Sequence, residues 1–323
     1  MISDGHGDEN VLRIEERPSP ELAPAEVRVA TTSAGLNRAD LLQRRGFYPP
    51  PPGASEVLGL ECGGTVSELG PNATGFEPGR RVMALVAGGG QAGEVVVDSG
   101  SLIPVPDTFS DQEAGAFPEV FLTAYLNLFM LGGLSAGGIA LVHGGSGGVG
   151  TAAIQLLKEA GARIIVTAGS DDRCRRCTEI GADLAVNYRD QDFESVCLEA
   201  TDNLGVDVVL DCIGGSYLEK NLKVLNTEGH LVVIGLMGGT KGELDLRRLL
   251  SERIRIIGST LRALSLERKA EIVSSFRDRF GDALQAGRLR PVIDSVFPME
   301  QIADAHRRLE SGEAFGKVVL TIG

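Results

Sequence analysis

The sequence predicts an α/β protein in which a doubly wound, six-stranded parallel sheet is joined to a second, mostly β domain. Three observations predict it. The middle third alternates short apolar runs with helical segments, the pattern of parallel strands linked by crossover helices. The first third has short strands broken by Gly and Pro, the pattern of a barrel or sandwich. A chain of 323 residues is long enough for two cores.

In chain order, "EVRVATTSAG", "CGGTVSEL", "RVMALV" and "AGEVVVDSGSLIPVP" read as strands of the β domain. "YPPPPG" between them reads as a polyproline-like loop. "DQEAGAFPEVFLTAYLNLFMLGGL" then reads as one long apolar helical segment. Strands of the parallel sheet are expected at 139–142, 163–167, 184–187, 207–211, 230–234 and 254–257. Helices are expected between them at 149–160, 171–180, 192–201, 216–225 and 245–251. The strand interiors are apolar at consecutive positions, as required where helices cover both faces. A helix over 266–286, a strand "PVIDSVFP", a helix over 299–310 and a strand "GKVVLTI" complete the chain. This tail does not repeat the strand–helix unit and is expected to return to the first domain. The expected division is 1–117 with 261–323, and 118–260.

Composition narrows the partners. The net charge of −13 argues against nucleic acid or an anionic membrane as a main partner, since both reward an excess of Lys and Arg. No apolar run is long enough for a membrane span, and "MISDGHGDEN" does not read as a secretory signal. An odd cysteine count of five reads as reduced thiols in a cytoplasmic protein. Cys174 and Cys177 form a C-x-x-C with no second ligand pair, so packing is the expected role and a redox pair the alternative. The four histidines show no triad or ligand spacing, and His143 is expected to be structural.

The chemistry-bearing motif is "HGGSGGVG". Gly145, Gly147 and Gly150 have the G-x-G-x-x-G spacing between a strand and a helix. Gly145 would permit the tight turn, Gly147 the approach of a pyrophosphate, and Gly150 close packing of helix on sheet. This predicts a bound dinucleotide. The next strand ends in "TAGS", so Gly169 and Ser170 stand where an NAD site usually has an acid. A small residue and a hydroxyl leave room for a 2′-phosphate, and Arg173 could pair with it. Asp171 and Asp172 would repel that phosphate if they faced it; the alternative is helix capping and first-turn charge. The expected cofactor is NADP.

"AGLNRADLLQRRGFYPPPPG", "LGLECGGTV", "GGSGGVGTAAIQL", "NYRDQDF", "LDCIGGSYLEKNL", "IGLMGG", "GSTLRA" and "GKVVL" occur in that order. Together they resemble the zinc-independent quinone oxidoreductases of the medium-chain dehydrogenase/reductase superfamily, closest to the p53-inducible quinone oxidoreductase group and related to ζ-crystallin. The resemblance implies a GroES-like β domain, a Rossmann domain, a cleft between them, and a homodimer joined through the Rossmann sheets. Such proteins usually begin with an extra strand, which is expected here to be missing or remodelled. Zinc-dependent relatives carry Cys near Asn37 and Gly-His-Glu at Gly59-Leu60-Glu61. Leu60 has no donor atom and Asn37 is a poor zinc ligand, so no metal is expected.

The resemblance also implies residue roles. Asn37, Tyr48 and Thr123 would line the nicotinamide and substrate side. Tyr48 could meet a quinone oxygen or donate a proton; the alternative is an anchor for the proline loop. Ser146, Gly147, Gly148 and Val149 would hold the pyrophosphate. Gly169, Ser170, Arg173 and Tyr188 would surround the adenosine ribose and its phosphate. Cys212 would lie beside the adenosine half, with packing as its alternative. Gly235, Leu236, Met237, Leu261 and Arg262 would flank the nicotinamide. The implied activity is NADPH-dependent reduction of quinones, chiefly ortho-quinones. The alternatives are an enone, enal or enoyl-thioester reductase, and an NADPH-binding structural or redox-sensing protein with little turnover.

Overall fold

The structure is a computed structural model that describes residues 2, 3 and 5–323. It divides into two compact units: residues up to Leu122 together with Leu261–Gly323, and Thr123–Thr260.

In the first unit the chain runs through β1 (Ile2–Ser3), β2 (Leu12–Arg13), β3 (Glu26–Gly35), α1 (Arg38–Arg44), β4 (Glu61–Leu69), β5 (Arg81–Leu85), β6 (Glu94–Asp98), β7 (Leu102–Pro104) and α2 (Asp111–Gly115). β1 and β2 form a separate antiparallel ladder. β3 is the organising strand. It pairs antiparallel with β4 along one edge and with β6 at the start of its other edge. Its inward residues Val27 and Val29 are fully buried and pack with Val66, Val82, Ala84, Val95 and Val97. The alternation along β3 is what places them there, because successive side chains point to opposite faces.

The segment expected as one long helix is broken. α2 ends at Gly115, α3 spans Pro118–Tyr125, and a π-helical turn follows over Leu126–Leu131. Pro118 is the physical reason: it has no N–H to continue a helix and it biases Phe117 away from helical backbone.

The second unit holds β8 (Ile139–His143), α4 (Gly148–Glu159), β9 (Arg163–Ala168), α5 (Asp171–Ile180), β10 (Leu184–Asn187), α6 (Phe193–Ala200), β11 (Val206–Asp211), α7 (Leu218–Val224), β12 (Leu225–Val233), α8 (Leu246–Ser251) and β13 (Arg255–Gly258). The strands are parallel, in the order β10-β9-β8-β11-β12-β13. This is the dinucleotide-fold order, and its direction reverses between β8 and β11. Leu141, Ile165, Val186, Val209 and Leu231 are fully buried, one from each of five strands. They form an apolar layer across the sheet, and truncating Leu141, Ile165 or Leu231 to Ala costs about 2–5 kcal/mol.

Two expectations for this unit are corrected. β12 begins at Leu225, ahead of the expected His230, and Glu228 within it takes φ +66°. The expected helix over 216–225 is a 3-10 turn, Gly215–Tyr217, followed by α7.

The chain then forms α9 (Leu266–Gln285), β14 (Ile293–Pro298), α10 (Ile302–Glu310) and β15 (Lys317–Thr321). β15 pairs antiparallel with the end of β3, so the last strand lies in the sheet begun by the first third of the chain.

Candidate active site

In the second unit, β8 delivers the chain into the glycine loop. Gly144, not Gly145, makes the sharp turn, with φ +73°. Gly145 lacks a side chain for another reason: a Cβ there would lie 2.7 Å from Val166 Cβ on β9. Gly150 brings α4 against the loop itself rather than the sheet, since a Cβ there would lie 2.6 Å from Gly145 Cα. Gly147 is different. A Cβ on it would meet Gly144 O at an ordinary 3.4 Å, so the protein's own packing does not demand glycine there. The open space is on the accessible side of the loop.

Gly147 is also the N-cap of α4 and supplies no side-chain acceptor. Helices α5, α6, α8 and α9 are each capped by a side chain, from Ser170, Asp192, Asp245 and Ser265. At α4 the first-turn N–H groups of Gly148 and Val149, beside Ser146 and Gly147, have no such acceptor. A bare backbone at the positive end of a twelve-residue helix suits a pyrophosphate. The residues present therefore fit a dinucleotide.

At the end of β9, a Cβ on Gly169 would lie 2.8 Å from the Tyr188 hydroxyl. The Tyr188 phenol thus lies over bare backbone, with Ser170 next in the chain. Ser170 caps α5, its Oγ accepting from Arg173 N at 3.4 Å. Neither neighbouring acid is the cap. Asp171 Oδ1 accepts from Asn187 Nδ2 at 2.8 Å, and Asp172 Oδ1 accepts from Arg175 Nη2 at 2.5 Å. Both acids are thus bound to partners on the protein. Arg173 lies on the first turn of the same helix, partly buried.

At the reversal point, the Cys212 thiol donates to His143 O at 3.4 Å and lies beneath Gly144. Met237 N donates to Cys212 O at 3.2 Å, which draws Gly235, Leu236 and Met237 to the ends of β11 and β12. Leu236 and Met237 are each 54% exposed. The structure therefore gathers the glycine loop, Cys212 and Gly235–Met237 at the carboxyl ends of neighbouring strands. Thr123 lies on α3, its carbonyl accepting from Asn127 Nδ2 at 2.7 Å.

His143 is a packing residue. Its nitrogens meet Thr167 Oγ1 at 3.1 Å and Asn221 Oδ1 at 2.7 Å, and its ring is edge-on to Phe193 and Tyr217. Burial lowers its pKa to about 4. Cys177 is buried against the glycine loop, and desolvation pushes its thiol up to about 12. Cys174 is also raised by burial, and both are free.

In the first unit, Asn37 opens α1 and is fixed on every side. Lys317 Nζ donates to Asn37 Oδ1 at 2.6 Å, to Leu36 O at 2.7 Å and to Glu61 Oε1 at 2.6 Å. Asn37 Nδ2 donates to Glu61 Oε1 at 2.9 Å, and Glu119 N donates to Glu61 Oε2 at 2.9 Å. Asp40 accepts from Asn37 N and Gly59 N, and burial raises its pKa to about 6. Glu119 is raised to about 8, first by desolvation and then by Glu61 and Asp40, against Lys317 and Lys269.

Tyr48 is half-buried beneath Arg262, whose guanidinium carbon lies 5.3 Å from the ring centroid. Arg262 is itself buried. It donates to Ala87 O, Tyr48 O and Gln43 Oε1 at 2.7, 3.1 and 2.6 Å, so its hydrogen bonds hold the Tyr48 loop. Leu261 beside it is also buried. Desolvation raises the Tyr48 pKa, Glu119 adds to this, and Arg262 opposes it.

Sequence reasoning missed Lys317, Glu119 and the pairing of Glu61. The available signal was a charged residue inside an apolar run: "FGKVVLTI", "FPEVFL" and "LGLECGG". Among the described residues, no group of three or more His, Cys, Asp and Glu is arranged to hold a metal. No described helix is long and apolar enough to cross a membrane.

Comparison with known proteins places this geometry in a family. Residues 23–107 match the alcohol dehydrogenase GroES-like domain, and residues 148–277 match the zinc-binding dehydrogenase family. The human synaptic vesicle membrane protein VAT-1 homolog is 30% identical over the whole chain and 86% of its own length. A phenolphthiocerol/phthiocerol polyketide synthase protein of Mycobacterium tuberculosis is 33% identical over 99% of the chain, which spans 14% of that much longer protein. Among solved structures, an NAD-dependent alcohol dehydrogenase superposes with TM-score 0.85 at 34% identity, covering 99% of this chain and 98% of that one. The Escherichia coli quinone oxidoreductase complexed with NADPH gives 0.86 at 26%, with the same coverages. The CurK enoyl reductase gives 0.86 at 25%, covering 100% and 98%. The chain belongs to the medium-chain dehydrogenase/reductase superfamily, with its GroES-like domain and Rossmann-type parallel sheet, and is an oxidoreductase of that family.

Proposed function

We propose that this protein is an NADPH-dependent quinone oxidoreductase that works without a protein-bound metal, in the group nearest the p53-inducible enzymes and ζ-crystallin. The observation that carries the reading is the state of residues 37, 60 and 61. Leu60 has no donor atom, Asn37 Oδ1 and Glu61 Oε1 accept from the Lys317 ammonium, and Glu61 Oε2 accepts from Glu119 N. A site of this kind suits an acceptor that needs no Lewis acid to polarise it. NADPH would supply the reducing equivalents. Ser146, Gly147, Gly148 and Val149 would hold its pyrophosphate, and Gly169, Ser170, Arg173 and Tyr188 its adenosine ribose and 2′-phosphate, with Cys212 nearby. The chain's own contribution is orientation and exclusion of water, with Tyr48 facing the acceptor oxygen.

The test is NADPH oxidation by purified protein with ortho-quinones, para-quinones, alkenals and a crotonyl-type thioester. Turnover is expected to be fastest with ortho-quinones. No acceleration by any quinone over the acceptor-free rate would end this reading. The second reading, an enoyl-thioester or enone reductase, is favoured by the likeness to CurK and to part of a polyketide synthase. Faster turnover with the thioester or alkenals would select it.

The working unit in this reading is a homodimer. β13 is an edge of the parallel sheet and pairs, among the described strands, with β12 alone. Its residues are largely exposed, whereas half of β10, at the opposite edge, is buried. An open strand edge invites pairing with another copy.

A further inference from the structure

We propose that Lys317 is a positioning residue: with Glu61 it locks the Asn37 amide so that Asn37 faces a bound ligand as a hydrogen-bond acceptor. The inference rests on the reading of Asn37 as part of the nicotinamide and substrate side, and it assigns what that residue offers there.

An ammonium has three N–H donors. All three of Lys317's have acceptors, within 2.7 Å, from Leu36 O, Asn37 Oδ1 and Glu61 Oε1. Lys317 is 2% exposed and Glu61 fully buried, so water screens this pair little. Asn37 lies against both members of this directly bonded pair, with Oδ1 toward the cation and Nδ2 toward the anion. A flipped amide would set N–H donors against the ammonium and a carbonyl oxygen against the carboxylate. Both contacts would then be repulsive at charge-assisted distances, so a single orientation is populated. The main chain at Asn37 is held as well, its N–H donating to Asp40 Oδ2 at 2.7 Å.

The lock has a chemical consequence. Nδ2 is aimed inward, at Glu61 and, more distantly at 3.5 Å, at Gly35 O. What the amide can still offer a ligand is acceptance at Oδ1, which the ligand would share with the Lys317 ammonium and with the Asp40 N–H of the α1 capping box. Asn37 therefore suits a donor such as a carboxamide N–H or a sugar hydroxyl, and is mismatched to a quinone oxygen. The hydroxyl of Tyr48 is then the group suited to the acceptor oxygen.

Removing Lys317 alone leaves a buried carboxylate unpaired, which can unfold the chain. The paired variant K317M/E61Q removes both charges and frees the amide. The first measurement is hydrogen exchange of the Asn37 side-chain amide in full-length protein labelled with 15N-asparagine, assigned by its loss in N37A. Exchange is expected to be at least tenfold faster in K317M/E61Q than in the wild type, and equal rates overturn the proposal. The second is a kinetic cycle over wild type, N37A, K317M/E61Q and the combined variant, with NADPH and an ortho-quinone. The charge-pair change is expected to lower kcat/KM by about 10–100-fold in the wild-type background, the scale of a small misplacement, and to have little further effect in N37A. Equal losses in both backgrounds mean that the pair supports the fold alone, and overturn the proposal. A wild type with no quinone-dependent turnover removes the functional reading, and amide exchange still decides the lock.

Discussion

At the residue scale, the two glycines of the loop that face different surroundings separate cofactor binding from stability. A Cβ at position 147 makes only an ordinary contact, whereas one at 150 collides with the loop backbone. Gly147→Ala is therefore expected to leave Tm within about 2 °C of the wild type and to weaken NADPH binding by roughly tenfold or more, since the methyl enters the space kept for a phosphate. Gly150→Ala is expected to lower Tm by several degrees whether or not nucleotide is present. Fluorescence titration with NADPH and thermal melts distinguish the two, and a Gly147→Ala protein with undiminished NADPH affinity would remove the loop from the binding site. Ser170 carries the complementary prediction. Ser170→Asp retains a cap for α5 while placing a carboxylate where the 2′-phosphate is expected. The ratio of kcat/KM for NADPH to that for NADH should fall by an order of magnitude or more, a single charge contact being worth about 1.4 kcal/mol or above. An unchanged ratio would show that specificity lies elsewhere.

Glu119 gives the residue scale its pH dependence. In the unfolded chain its carboxyl releases a proton near the usual 4.5; in the fold it keeps it to about 8. Between those values the folded state binds the additional proton, so raising the pH favours unfolding. Its contribution is complete below pH 4.5 and lost as pH rises to 8. Asp40, raised to about 6, adds to the same trend over the lower part of that range. The wild type should lose thermal stability steadily from about pH 5 to about pH 8, and Glu119→Gln, which cannot ionise, should lose markedly less. Parallel melting curves for the two proteins would show that Glu119 is ionised in the fold across this range.

At the element scale, the parallel sheet was legible because its central strands are apolar at consecutive positions and several of its helices begin on a side-chain cap. Asp171–Ile180, for instance, is bounded by Ser170 and by Gly181 at φ +128°. What was not legible depended on contacts remote in sequence. Lys317 finds Asn37 and Glu61 across separations of 280 and 256 residues, and no local pattern encodes that. The role of Gly144 was hidden by the stronger G-x-G-x-x-G spacing beside it, although the preceding Gly–Gly pair carried the information. The break before α3 was present as Pro118, but outweighed by the apolar run around it. The early start of β12 arises from Glu228, whose left-handed backbone permits the strand to continue past a bulge. That geometry costs a non-glycine residue about 1 kcal/mol. Glu228→Gly is thus expected to raise Tm by a few degrees, because the lost ion pair to Arg253 is exposed and contributes little. A fall in Tm would show that the bulge is held by the side chain rather than strained by it.

At the scale of the whole molecule, the open edge of the parallel sheet makes an assembly prediction. β13 leaves one row of N–H and C=O groups unpaired by any described strand, and Ile256 on it is 40% exposed. The helix that leads into it adds to the apolar surface: Leu246 and Leu250, one turn apart on α8, are 66% and 81% exposed. Exposed leucines on an edge-adjacent helix are costly for a monomer and natural for an interface. Two copies pairing β13 antiparallel about a two-fold axis would join two six-stranded sheets into one and cover both leucines, a self-complementary contact of the kind that closes at two subunits. The wild type is then expected to elute with a mass near twice the chain's 34.0 kDa in size-exclusion chromatography with light scattering. Ile256→Arg combined with Leu250→Glu, at positions that face solvent within one chain, should shift it to the monomer while preserving NADPH binding. A wild type that remains monomeric at micromolar concentrations, or a dimer indifferent to both substitutions, would place the interface elsewhere or remove it.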